Sequence, residues 1–106
     1  MAMDRIEKLK EFLLKEPDDP FIKHALALEY WKAGETVTAR GLLEDVLAKD
    51  VSAVGSYYQL GKLLESMGEP RLALGWYEKG MAAAKAAGEK RAYNELRAAY
   101  DDLVEE

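Results

Sequence analysis

The stretch SYYQLGKLLESMGEPRLALGWYEKGM, Ser56 to Met81, decides the fold. It reads Tyr-x-x-Leu-Gly-x-x-Leu, a Gly-Glu-Pro break, and then Ala-x-x-x-Tyr. Sliding the chain against itself by 34 residues pairs Leu26 with Leu60, Gly34 with Gly68, Glu35 with Glu69 and Ala39 with Ala73. It also pairs Gly41 with Gly75, Glu44 with Glu78 and Ala48 with Ala82. The identities fall on helix ends and on small residues inside apolar stripes. The stretch is therefore one copy of a repeated unit, not a lone hairpin.

Outward from it, the punctuation cuts the chain into six helices, at residues 3–15, 20–33, 36–49, 53–67, 70–87 and 89–104. Ala, Leu, Glu, Lys and Arg dominate, which favours helix, and the clusters of strand formers are short. The KEPDDP segment stops the first helix near Lys15, and Asp19 is placed to cap the second, with Pro20 in its first turn. Gly34 ends the second helix; Thr36 and Ser52 are the expected caps of the third and fourth. Gly88 is expected to close the fifth in a left-handed conformation. Ile6, Leu9, Phe12 and Leu13 form an apolar stripe on the first helix, and Tyr93, Leu96, Tyr100 and Leu103 form one on the last. The short connections make neighbouring helices antiparallel.

Composition narrows function by exclusion. A formal charge of −5 opposes binding to nucleic acid, whose affinity depends on neutralising phosphates, and to an anionic membrane surface. With no cysteine there is no disulfide, thiol nucleophile or thiolate metal site, which suits a reducing compartment. The opening MAMDRIEKLKE reads as neither a secretory signal nor a span. The expectation is a cytoplasmic protein.

The 34-residue period, with its Leu-Gly, mid-unit glycine and small residue before an aromatic, resembles the tetratricopeptide repeat (TPR) family. Residues 54–87 match best, through Tyr57, Leu60, Gly61, Leu64, Gly68, Ala73 and Tyr77. They depart at Gly80, where alanine is usual, and at Lys85, where proline closes the unit. Residues 20–53 keep Leu26, Ala27, Tyr30, Gly34, Ala39 and Leu43, and depart at Lys23 and Val51. The resemblance implies an all-α chain, a right-handed α-α superhelix of antiparallel helix pairs, as a single domain over 1–106. Residues 3–19 would be a half-repeat, 20–53 and 54–87 two full units, and 88–106 a C-terminal capping helix. Gly61 and Ala27, with Ala39 and Ala73 opposite, would let the two helices of each unit approach closely.

His24, the only histidine, has no nucleophile motif such as Gly-x-Ser-x-Gly to accompany it. One histidine without cysteines leaves only carboxylates to complete a metal site. Asp18–Asp19 reads as a helix start and Asp101–Asp102 as a solvated face, so no general acid–base pair is expected. The glycines are isolated, so there is no phosphate loop. No catalytic residue, cofactor or metal is expected.

The family resemblance implies a protein or peptide partner, held in a concave groove lined by the first helices of successive units. On the non-core faces of these helices stand Phe21, His24, Leu28, Trp31 and Lys32; then Tyr58, Gln59, Lys62 and Glu65; then Arg91, Asn94, Glu95 and Ala98. One subclass of the family clamps the C-terminal carboxylate of heat-shock chaperones. Its cationic and amide positions fall here on His24, Leu28, Gln59, Arg91 and Glu95, and Leu28 and Glu95 are wrong for that task. The alternative is a self-associating scaffold, a homodimer formed through Leu42 and Trp76 on the convex side or through the flank of the first helix.

Overall fold

The computed structural model of the chain describes residues 2–105. Among these residues there are six α-helices and no strand: α1 (Ala2–Lys15), α2 (Pro20–Lys32), α3 (Thr36–Lys49), α4 (Val54–Ser66), α5 (Pro70–Ala87) and α6 (Lys90–Glu105). The expected boundaries hold to within a residue. The helices pack as two units, α1–α3 up to Asp50 and α4–α6 from Val51 onward.

In the first unit α2 packs against both α1 and α3. Its core is Ile6, Leu26, Ala27, Ala39, Leu43, Val46 and Leu47, all buried. Ile6 carries the α1 contact with help from half-buried Leu9 and Leu13. Phe12, assigned to the same stripe by its spacing, is instead 54% exposed. A helix with a single partner buries only a narrow seam, and Phe12 lies outside it.

In the second unit α5 packs against both α4 and α6. Leu60, Leu63, Leu64, Ala73, Tyr77 and Ala84 are wholly buried, with Tyr57, Leu96 and Ala99 beside them. Gly61 is small for a specific reason. A Cβ added there would lie 2.1 Å from Cε1 of Tyr77, so the Tyr77 ring occupies the space a side chain would take. Gly80, a departure from the family pattern, is equally constrained: its Cβ would meet Cβ of Tyr57 at 2.6 Å and Leu96 at 3.0 Å.

Helix ends follow one device used three times. Gly34, Gly68 and Gly88 adopt φ of 85°, 77° and 71°, and the glutamate after each donates its amide back across the turn. Glu35 N–H reaches the Tyr30 carbonyl at 2.8 Å; Glu69 reaches Leu64 and Glu89 reaches Ala84, both at 2.9 Å. Each bond satisfies a carbonyl that the helix end would leave open. At the helix starts, Asp19 caps α2 through Oδ1, which accepts from Phe21 N–H at 2.8 Å and Ile22 N–H at 3.3 Å. The other two expected caps are corrected. Glu35 and Ala53 occupy the cap positions of α3 and α4, and neither uses a side-chain bond. Thr36 is already the first helical residue, and Ser52 lies one residue too early, because the Gly-Glu turn consumes the position before Thr36 and Ala53 turns the chain into α4.

Candidate functional site

The proposed partner-binding side chains divide between the two units. In the first unit, α2 carries Phe21, His24, Leu28, Trp31 and Lys32. Phe21 follows the Asp19 cap and is 84% exposed, far more than a ring serving only as a helix seal. His24, Leu28 and Trp31 are half-buried. Burial holds the His24 imidazole below its ordinary pKa, which favours the neutral ring. Lys32, near the C-terminal end of the helix, points its Nζ to within 3.4 Å of Glu29.

In the second unit, α4 brings Tyr58, Lys62 and Glu65 together at three- and four-residue spacing, as one helix face must. Lys62 Nζ stands 5.7 Å from the centroid of the Tyr58 ring and 3.7 Å from Glu65 Oε2. The Tyr58 ring is tilted against Tyr77, with centroids 6.4 Å apart. Tyr77 O–H donates to Glu65. Burial first, and then the Glu65 carboxylate, raises the Tyr77 phenol well above its ordinary pKa. Glu65 is thus committed to holding α5, whereas half-buried Tyr58, Gln59 and Lys62 keep part of their surface in solvent.

The α6 residues behave differently. Arg91 and Glu95 pair with each other at 3.5 Å on an exposed face. Asn94 and Ala98 are exposed. Among the described residues no hydrogen bond or ion pair joins Arg91, Asn94 or Glu95 to the Tyr58–Lys62 cluster. Asn94 instead lines a surface cleft of about 390 Å³ between the end of α5 and the start of α6, with Lys85, Glu89, Lys90 and Tyr93.

Two buried charges in the first unit were invisible to sequence reasoning. Lys23 is buried and donates to Asp45 on α3, with Asp18 at 3.8 Å. Lys49 donates to Asp18 at 2.9 Å and lies 3.8 Å from Asp45. Asp18, read from sequence as part of a helix start, is therefore an ion-pair partner, held below the ordinary carboxylate pKa by the Lys49 hydrogen bond. Asp45 is likewise lowered, chiefly by the hydrogen bond from Lys23. Glu29, also buried, meets Arg5 of α1 at 3.2 Å. The spacing of Lys23, 22 residues before Asp45, is tertiary, and no local pattern announces it.

Antiparallel helices joined by Gly-Glu turns, with small residues set under large ones, define a helical-repeat scaffold of the kind that serves as a protein–protein interaction module. A tetratricopeptide repeat domain protein from Salinibacter ruber, known from its solution structure, is 34% identical. The match covers 82% of this chain and 88% of that one, with a TM-score of 0.79. The chain belongs to the tetratricopeptide repeat family. The protein BPP2914 of Bordetella parapertussis is 25% identical with a TM-score of 0.80, over 94% of this chain and 87% of that one. The TPR repeat-containing protein PA0015 of Pseudomonas aeruginosa is 29% identical over 91 residues, 86% of this chain and 87% of the relative. No family model matches the chain. The family consists in general of non-enzymatic interaction modules, and protein partners are what its fold implies. Among the described residues no helix is long and apolar enough to cross a membrane.

Proposed function

We propose that the protein binds an extended peptide or partner segment, and that in the second unit the α4 face centred on Tyr58, Gln59 and Lys62 makes the contact, with Asn94 of α6 as a further polar group. The observation that supports this is the Tyr58–Lys62 pair. A cation held over a half-exposed ring by a carboxylate offers one flat apolar surface and one fixed donor, the combination that anchors peptide side chains. Neither side chain is needed to fill the core, which Tyr57, Leu60 and Leu64 already complete.

Immobilised protein should retain a partner from the native cell that the Tyr58→Ala, Lys62→Ala double variant loses, with the helical circular dichroism of the two unchanged. Retention of every partner by a folded double variant would reject the α4 face. A second reading, self-association, draws on the first unit, where Leu14 is 84% exposed beside Phe12. Trp76 supports it less, since its ring packs against Tyr57 at 6.1 Å and is covered by Lys79 Nζ at 4.5 Å. A mass from light scattering that stays monomeric across a hundredfold range of about 5–500 μM would exclude this reading.

A further inference from the structure

The cleft between α5 and α6 is built where the repeat breaks its own period. First-type helices begin at Pro20, Val54 and Lys90, so the second interval is 36 residues where the first is 34. The cause is α5, which is 18 residues long where its counterpart α3 is 14, offset in part by a connection of two residues after α5 where four follow α3. Lys85 stands where the family closes its unit with proline, and the alanine-rich run around it continues the helix until Gly88 turns the chain. The added turn carries Lys85 out beside Lys90, Tyr93 and Asn94 of α6.

The charge there is unspent. Among the described residues, Arg5, Lys23, Lys32, Arg40, Lys49, Lys62, Arg91 and Arg97 each meet a carboxylate, and Lys10 and Lys79 each lie over a ring. Lys8, Lys15, Arg71, Lys85 and Lys90 do neither, and of these five Lys85 and Lys90 are the two that line one cleft, with Glu89 beside them. The Tyr93 phenol and the Asn94 amide add neutral donors without committed partners. Two lysines against one glutamate leave a single net positive charge, which suits a monoanionic carboxylate better than a phosphate dianion. Asn94 also sits, by the 36-residue interval, where α4 has Tyr58.

We propose that this cleft is a subsite for an acidic side chain, Glu or Asp, of the bound peptide, resting on the reading above that the α4 and α6 faces receive such a peptide. Lys85 and Lys90 supply the charge, Tyr93 and Asn94 the directional hydrogen bonds, and Gly88 leaves the cleft mouth free of a side chain. These are not the positions of the chaperone-terminus clamp considered from sequence. The partner's acidic residue would thereby be read at this cleft, on a chain whose net charge is −5.

The test is a titration of the whole protein, followed by amide NMR. The probe is a terminally capped Ala-Glu-Glu-Ala peptide, with its glutamine and phosphoserine counterparts as comparators. The expected result is saturable shifts at Lys85, Gly88, Lys90, Tyr93 and Asn94 with the glutamate peptide alone. The Lys85→Gln, Lys90→Gln variant should weaken them about tenfold. Shifts spread evenly over all lysines, no shift at millimolar peptide, or tighter binding of the phosphoserine peptide would each overturn the carboxylate subsite. Should Tyr58 and Lys62 respond equally to glutamate and glutamine peptides while the cleft stays silent, the subsite falls and the peptide-binding face stands. Loss of the cellular partner from Tyr58→Ala, Lys62→Ala has no bearing on the cleft, so the two readings fail separately.

Discussion

At Gly61 a substitution meets two opposed effects. Alanine is favoured over glycine inside a helix by about 1 kcal/mol. Its methyl, however, would lie within 2.1–2.7 Å of three Tyr77 ring atoms, and that ring is fully buried and tied by its hydroxyl to Glu65. Overpacking costs about 1–3 kcal/mol, so Gly61→Ala should lower the urea midpoint. Gly41→Ala and Gly75→Ala, helical and with open space around the new methyl, should stabilise the fold by about 0.5–1 kcal/mol and raise the midpoint. The first unit shows how the clash is relieved: its corresponding positions hold Ala27 and Leu43, a larger residue facing a smaller one. Adding Tyr77→Leu to Gly61→Ala should therefore recover stability relative to the sum of the single changes. Additivity in this cycle would mean that the ring is not what Gly61 accommodates.

Among the elements, α2 and α3 are joined by charge as well as by apolar contact. Lys23, buried on α2, is neutralised by Asp45 of α3, and Lys49 of α3 reaches Asp18 ahead of α2. Both carboxylates have pKa values below the 3.8 of the unfolded chain, so the native state binds fewer protons than the unfolded one. Their contribution is complete above that value and disappears as pH falls through the lowered native values. Wild-type stability should decline as pH falls below about 4 more steeply than that of Asp18→Asn, Asp45→Asn, measured by urea titration. Near neutral pH, Asp45→Asn should already cost about 1 kcal/mol, because Lys23 stays buried with a weakened partner. Parallel pH profiles for the two proteins would remove this network from the stability of α2 and α3.

For the molecule as a whole, legibility followed the range of the interactions. The six helices, the Gly-Glu turns, the Asp19 cap and the small residues at 27, 39, 61 and 73 could be read because they recur locally or at a fixed period. The exposure of Phe12, the burial of Lys23 and the constraint on Gly80 could not, since each depends on which helix lies opposite. The cleft left one trace, the absence of proline at Lys85, whose consequence appears only with the length of α5. The same asymmetry of partners governs how the chain opens. Among the described residues, α1 has one buried apolar side chain, Ile6, whereas α4 and α5 together bury Val54, Tyr57, Leu60, Leu63, Leu64, Ala73, Tyr77 and Ala84. In a repeat protein each element is held by its immediate neighbours, so an element with one partner opens first. Native-state hydrogen exchange should find the mid-helix amides of α1 at least about tenfold less protected than those of α4 and α5, a difference of about 1.4 kcal/mol in opening free energy. Filling the α1 seam should close that gap selectively: Leu9→Phe slows exchange in α1 and α2 while α4 and α5 keep their rates. Equal protection across all helices would show instead that the chain opens only as one cooperative body, and that the packing of α1 is not what limits it.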